Sequence, residues 1–269
     1  MLFVSFRVIS LLHLLTALGA LAILTLSLAN ILWLRSSSHK PVSTDRGKVS
    51  VLIPARNEEA NIRRCLDSLL DQSYANFEIV VLDDCSEDRT WQIIAEYARR
   101  FPARLQAVKG APLPHGWCGK THAMQLLSRY ASGDYLLFTD ADTIHSPESL
   151  AWAVTNINDH DADFLSGYVH QDLQSFGEAL IVPTTYIMSA IVMPFWLIPR
   201  SNSSMLTMAV GQMVMFRRSA FEAIGGYSSV AEQISEDVFV ARAVKKAGFR
   251  TVFLDLQDHV SCRMYQGYR

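Results

Sequence analysis

Apolar and polar positions along the chain fall into three regimes. Residues 8–34 carry no formal charge apart from His13 and are rich in Leu, Ala and Ile; at about 1.5 Å of rise per residue a helix of that length spans a hydrocarbon core of ~30 Å. From Lys48 onward, short apolar runs each end in polar residues before the next stretch of helical pattern. Residues 49–54, 77–82, 105–108 and 135–139 read as strands and 164–169 as a further apolar run. Helices are expected over 61–71, 121–128 and about 236–247. Strand and helix in alternation predict an α/β fold with a mainly parallel sheet and helices on both faces, because a continuous apolar run marks a strand buried on both sides. The third regime is a second uncharged stretch, 179–199, with prolines at 183, 194 and 199.

Residues 1–35 are expected to form a retained membrane anchor. A cleaved signal peptide competes, since Ser27-Leu-Ala29 resembles a cleavage site, but the apolar region exceeds the usual signal core. Arg7 precedes the span, whereas Arg35, Lys40, Arg46 and Lys48 follow it against the single Asp45. The positive-inside bias then puts everything after Leu34 in the cytosol, on the inner face of the cell membrane. Residues 36–47, polar and holding Pro41, read as a linker, and 48–269 as the catalytic domain. For 179–199 three readings stand: a crossing, an interfacial or re-entrant segment, and a buried core helix. The prolines and the need to return to the same domain favour the second.

Composition narrows the chemistry. With 269 residues, half of them hydrophobic, the chain can bury a full core. A net charge of −2 and the lack of basic clusters argue against nucleic acid as the main partner. Cys65, Cys85, Cys118 and Cys262 lack Cys-x-x-Cys or Cys/His spacing, which fits free thiols in a reducing compartment better than zinc or a disulfide framework.

The candidate chemistry collects where the strands end. Tyr135-Leu-Leu-Phe-Thr empties into Asp140 and Asp142, and ligands of open α/β sheets gather at the carboxyl ends of strands. Two such carboxylates suit a divalent cation that keeps most of its waters and takes other ligands from phosphate. The letters alone are weak, because Asp159-His-Asp161 and Asp161-Ala-Asp163 repeat them in a helix-to-strand loop at the opposite edge. The first strand delivers Arg56, Asn57 and Glu58, although acidic residues in a first helical turn also suit the dipole. The second delivers Asp83 and Asp84; capping by Ser86 or Asp88 explains some of its polar residues but not the paired aspartates. A glycine-rich loop after the third ends in Lys120 at a helix start, suited to phosphate or simply facing solvent. Ser146-Pro147-Glu148 is expected to open the next helix, with a cap and a proline at its first position. Ser235 is expected to cap the helix holding Glu236 and Asp237.

The segments Val-Ser-Val-Leu-Ile-Pro-Ala-Arg-Asn-Glu-Glu, Val-Val-Leu-Asp-Asp-Cys-Ser-Glu-Asp, Gly116-Trp-Cys-Gly-Lys120, Phe138-Thr-Asp-Ala-Asp142, Gly211-Gln-Met-Val-Met-Phe-Arg217, Gly225-Gly-Tyr227 and Ser235-Glu-Asp237 follow one another. In this order they resemble family 2 glycosyltransferases of GT-A fold, and most of all the membrane-bound branch that glycosylates lipids, such as ceramide glucosyltransferases and carotenoid- and hopanoid-associated enzymes. That resemblance implies transfer, with inversion, from a nucleotide-diphospho-sugar, a UDP-sugar first, to a lipid hydroxyl. It implies substrate binding by Pro54, Arg56, Glu58, Asp83, Asp84, Lys120, Asp140, Gln212 and Arg263, with the ribose and base at Glu58 and Asp84 and the diphosphate at Lys120. It further implies Mg²⁺ or Mn²⁺ at Asp140 and Asp142, and Asp237, after Glu236, as general base. The alternatives are a polysaccharide synthase of the same superfamily and an inactive nucleotide-sugar-binding subunit. Arg263-Met-Tyr265 resembles the segment after the catalytic helix, and Gln266-Gly-Tyr-Arg269 the start of the family's Gln-x-x-Arg-Trp pattern. The sequence given stops before that Trp and before the further membrane helices that relatives generally carry, a departure from the family's pattern at the carboxyl end.

Overall fold

The computed structural model describes residues 2–37 and 47–263, with side chains over 8–36 and 47–263. Most of the expected linker 36–47, and residues 264–269 with the Gln-x-x-Arg pattern, lie outside the described residues. The elements run α1 (Leu2–Ser37), β1 (Val49–Ala55), α2 (Ile62–Leu70), β2 (Phe77–Asp83), α3 (Thr90–Arg100), β3 (Leu105–Lys109), α4 (Gly119–Ser128), β4 (Tyr135–Thr139), β5 (Thr143–His145) and α5 (Ser149–Asp159). They continue with β6 (Phe164–Tyr168), β7 (His170–Gln171), α6 (Phe176–Ala190), a 3-10 turn (Phe195–Arg200), β8 (Met213–Arg217), α7 (Arg218–Ala223), a 3-10 turn (Gly226–Val230), α8 (Glu236–Lys246), β9 (Thr251–Asp255) and β10 (Val260–Cys262).

Seven strands form one sheet in the order β3-β2-β1-β4-β8-β6-β9. All its pairs are parallel except those of β8, which runs antiparallel to both β4 and β6. The apolar runs are buried on both faces, as expected of a covered sheet. Val49, Val51 and Ile53 of β1 pack with α2, α3 and α5 on one side, and Leu52 packs with α4, α7 and α8 on the other. On that second face Phe138 stacks on Phe221 at 5.6 Å and meets the edges of Phe216 and Tyr227. Gly226, at φ +60°, closes against this cluster; a Cβ there would come within 2.7 Å of the Phe221 ring. A three-stranded sheet, β5-β10-β7, sits beyond β4 and frames the side of the Asp142 turn.

Two helix starts differ from expectation. Helix α5 begins at Ser149, not at Pro147, because Ser146 is committed elsewhere: its N–H donates to His259 O at 2.8 Å and its hydroxyl lies 3.4 Å from His259 Nδ1. Ser235 occupies the position before α8 but its side chain makes no capping bond; Asp237 Oδ1 instead accepts the Val238 N–H at 2.8 Å.

Helix α1 is exposed over most of its length, and Val8–Ser36 is apolar and long enough to cross a membrane. The second apolar stretch is broken. Helix α6 has 15 residues, about 22 Å of rise, and the chain turns before the 3-10 segment. Only Glu178 and Val182 of α6 are buried, so it is not a core helix.

At the other rim of the sheet, the loop carrying Asp159, Asp161 and Asp163 is structural. Asp161 pairs with Arg250 at 3.1 Å and Asp163 Oδ2 accepts the Arg250 N–H. On the same rim but four strands away, Glu78 of β2 accepts from Lys48 Nζ and Ser50 Oγ at 2.6 Å and from the Ser132 N–H at 2.7 Å. Burial opposes its charge, but these donors outweigh it and hold the Glu78 pKa down at about 2. A carboxyl depressed in the fold adds stability above its unfolded value and loses it as pH falls through the folded one. Glu78→Gln is therefore expected to cost about 1–2 kcal/mol at pH 7, after allowance for partial exposure. Denaturant titrations in detergent should show the difference between the two proteins shrinking from about pH 4.5 towards pH 2.

Candidate active site

The tips of β1 and β2 are shaped by two residues that leave the strands in the left-handed region, Asn57 at φ 56° and Cys85 at φ 57°. The turns they make are laced together. Ser86 Oγ accepts the Asn57 N–H at 3.0 Å, Asn57 Oδ1 accepts the Glu87 N–H at 2.8 Å, and Thr90 Oγ1 accepts the Glu58 N–H at 2.7 Å. Asp88, one residue before the N-cap position Arg89, takes the Thr90 N–H and hydroxyl at the start of α3, while Ser86 serves the neighbouring turn. Pairing of the strands is extended past their ends by the Asp84 N–H, which donates to Ala55 O at 2.8 Å.

These turns hold Glu58 and Asp84 on the wall of a cavity of about 340 Å³, with Pro54, Arg56, Lys120, Asp140 and Asp142 around it. Arg56 Nη1 stands 3.9 Å from Asp84 Oδ2. Burial raises the pKa of Asp84, against the pull of Arg56 and His122. Burial likewise raises Glu58, against a hydrogen bond from Asn61 and with the help of the Asp142 and Asp140 charges. Asp142 is raised by burial and then by Asp140, and its Oδ1 is buried with no hydrogen-bond partner. Three carboxylates thus strain against one another around one space, a charge distribution that a cation relieves. Among the described residues no group of three or more His, Cys, Asp and Glu is gathered around a point. Asp140 and Asp142 nevertheless fit a hard divalent ion, which needs only one or two carboxylates when phosphate and water complete its shell.

Beneath the Asp140 turn lies a buried polar network. Thr139 Oγ1 donates to Gln212 O at 2.8 Å and lies 2.9 Å from Thr143 Oγ1 and 3.0 Å from His145 Nε2; Ser149 Oγ continues it to Gln72. The Gln212 carbonyl also takes the Asp140 N–H at 3.3 Å, which ties the start of β8 to the carboxylate turn. Burial alone pulls His145 down to about 3, so it is a neutral hydrogen-bonding partner here.

Lys120, in the first turn of α4, is the junction. Its Nζ lies 2.8 Å from Asp140 Oδ1 and 3.1 Å from Glu236 Oε1. Burial works against the ammonium, but Asp140 and Glu236 outweigh it and hold its pKa above the ordinary lysine value. Beyond Lys120 a second cavity of about 450 Å³ opens, walled by Glu236, Asp237 and Gln212 at one end and by Val182, Tyr186, Val210 and Ile234. Asp237 is raised by burial, against the Val238 N–H and Lys120. Of the residues expected at the site, Pro54, Arg56, Glu58, Asp84, Lys120, Asp140 and Asp142 line the first cavity, and Gln212, Glu236 and Asp237 the second, which shares Lys120 and Asp140. Asp83 is buried behind the wall, where its carbonyl accepts the Gly110 N–H. Arg263 stands apart, in a smaller pocket with Arg64 and His170 on the far side of Asp142. Val182 and Tyr186, in the apolar wall of the second cavity, belong to the 179–199 stretch but are not singled out as site residues by the sequence.

The model of the family "Glycosyl transferase family 2" matches residues 50–225. The chain belongs to glycosyl transferase family 2. A 4,4'-diaponeurosporenoate glycosyltransferase of Staphylococcus haemolyticus is 29% identical over 228 residues, 81% of this chain and 57% of that protein. A probable glycosyltransferase of Bacillus subtilis is 30% identical over 77% of this chain and 48% of its own length. The chain therefore spans about half the length of these relatives. Among solved structures, a mannosyltransferase of Pyrobaculum calidifontis in complex with GDP-Man and Mn²⁺ matches 95% of this chain and 68% of that one, with TM-score 0.65 and 23% identity. Staphylococcus aureus TarS with UDP-GlcNAc matches with TM-score 0.56 and 21% identity over 82% of this chain and 60% of that one. The family 2 chain shares their fold, GT-A.

The laced turns make a direct test of the site's frame. Asn57→Ala keeps the left-handed strain and loses the Glu87 contact, and is expected to cost about 2 kcal/mol. Asn57→Gly relieves the strain and is expected to cost about 1 kcal/mol. Thermal unfolding of the two variants in detergent gives the order.

Proposed function

We propose that this family 2 protein is a membrane-associated, inverting glycosyltransferase that moves a sugar from a nucleoside diphosphate to a hydroxyl of a lipid-like acceptor. One observation carries the reading: Lys120 bridges Asp140 and Glu236, so the carboxylate cavity and the cavity ending at Asp237 meet at one cation. The nucleotide sugars bound by the Pyrobaculum and Staphylococcus structures support a donor of this kind, and the Mn²⁺ of the former supports a divalent ion. The name of the Staphylococcus haemolyticus relative, together with the exposed apolar α1, supports an apolar acceptor and a membrane location; the Lys and Arg residues that follow the span support a catalytic domain on the cytosolic face.

In this reading Glu58 and Asp84, with Pro54, Arg56 and Asp83 behind them, take the nucleoside. Lys120 takes the diphosphate, exchanging part of its contact with Asp140 for phosphate oxygens. Asp140 and Asp142 hold Mg²⁺ or Mn²⁺, which when bound neutralises charge on the leaving diphosphate. Gln212, beside Lys120 and Asp140 in the second cavity, borders the transferred group. Asp237 accepts the proton of the acceptor hydroxyl as its oxygen attacks the anomeric carbon opposite the diphosphate, which inverts that centre. A carboxylate raised above its ordinary value is a better base than a solvated one, provided that it remains ionised at the working pH.

Purified protein in vesicles with a panel of nucleotide sugars and lipid alcohols should yield a glycolipid by mass spectrometry. A polymer points to a synthase, and no product under any combination refutes transfer. Asp237→Asn should lower turnover by about 10³-fold or more and change nucleotide affinity less than about threefold. The acid limb of the wild-type kcat/KM profile should lie above the ordinary aspartate value, because Asp237 must be deprotonated to act. Asp142→Asn should weaken Mn²⁺-dependent nucleotide binding by about 100-fold, as read by calorimetry.

A further inference from the structure

The break between α6 and the following 3-10 turn leaves backbone groups without partners in their own helices, a costly state at the edge of a bilayer. One distant side chain satisfies three of them. Asn30 Nδ2 donates to Ala190 O and Met193 O, each at 2.8 Å, and Asn30 Oδ1 accepts the Phe195 N–H at 2.9 Å. Asn30 is 1% exposed, in a helix whose other residues are mostly open. One turn on, Trp33 Nε1 donates to Phe253 O at 3.0 Å, and the Arg200 guanidinium lies over the Trp33 ring at 5.3 Å.

Position adds a second constraint. Residues 8–29 of α1 give about 33 Å of helix, close to a hydrocarbon thickness of ~30 Å, so Asn30 and Trp33 fall where the helix would leave it. Upstream of the bonded carbonyls, Val182 and Tyr186 of α6 form the apolar wall of the cavity that ends at Asp237. The outer side of α6 and its turn presents Phe176, Leu180, Ile187, Met188 and Val192.

We propose that Asn30 is a positioning residue: through its three bonds α1 braces the acceptor-side wall and holds the outer face of α6 at the bilayer surface. The occupant of that face is the boundary between lipid headgroups and acyl chains, because the face is apolar and the turn that ends α6 is bonded to a helix long enough to cross the hydrocarbon. A loose tether would need no buried amide in α1. The proposal rests on the membrane and acceptor reading above and adds to it the residue that sets the wall.

The test uses the full chain in phosphatidylcholine vesicles with an environment-sensitive fluorescent amino acid in place of Phe176. Lipids with quenchers at the headgroup or deep in the acyl chain report its depth. The wild-type brace predicts stronger quenching by the shallow quencher, and Asn30→Leu should roughly halve that quenching while the protein still floats with the vesicles. With hexadecanol in the vesicles as acceptor probe, Asn30→Leu should raise KM about tenfold with kcat and nucleotide affinity within about twofold, and Asn30→Gln should recover part of the loss. A label unquenched in the unsubstituted chain, or quenching unaltered by Asn30→Leu, overturns the proposal; the first arm holds even if the variant fails to fold. Absence of turnover with every acceptor alongside Asn30-dependent quenching would refute the transferase reading and leave the brace standing.

Discussion

A single ammonium between two carboxylates organises the molecule. Lys120 lies within 3.1 Å of both Asp140 and Glu236, which belong to elements almost a hundred residues apart in sequence and on opposite flanks of the central opening. Around it the rim is rich in anions, with Arg56 beside Asp84 as a further cation; the raised pKa values of Glu58, Asp84, Asp142 and Asp237 record how strongly burial acts there, and repulsion from neighbouring carboxylates adds to it at Glu58 and Asp142. Such a rim is poised for a ligand that brings both a cation and an anion, which is the make-up of a metal-bound diphosphate.

The fold serves that arrangement by fixing strand ends. Left-handed Asn57 and Cys85 turn the chain sharply at two neighbouring tips, and hydrogen bonds between those turns remove the freedom that loops otherwise keep. The third tip, at Asp140, is fixed differently, by the Gln212 carbonyl from the antiparallel β8 and by the buried Thr139, Thr143 and His145. Carboxylates on such frames can be held close together because the backbone, and not their own contacts, determines where they stand.

Much of this is legible in the sequence. The apolar runs 49–54, 77–82 and 135–139 lie within β1, β2 and β4, and Arg56, Glu58, Asp84, Asp140 and Asp142 beyond their ends line one cavity, because burial on both faces forces a run to be apolar to its last buried residue. Family resemblance pointed to family 2, as the family match shows. What sequence did not convey depends on distant partners. The antiparallel direction of β8 leaves no mark on Met213–Arg217, whose burial resembles that of its parallel neighbours. Ser235 and Ser146 have the letters of helix caps, but the first makes no capping bond and the second is taken by His259. Asn30 was passed over within an apolar span, although a lone amide there was the available signal of a buried partner.

Binding of a metal diphosphate at the Lys120 junction is most directly tested by anomalous diffraction at the manganese edge from crystals grown with Mn²⁺ and a nucleoside diphosphate. It predicts one strong peak at the Asp140 and Asp142 carboxylates, with the diphosphate against Lys120 and the nucleoside towards Glu58 and Asp84. A nucleotide bound outside this cavity, or a metal peak only elsewhere on the protein, would contradict it.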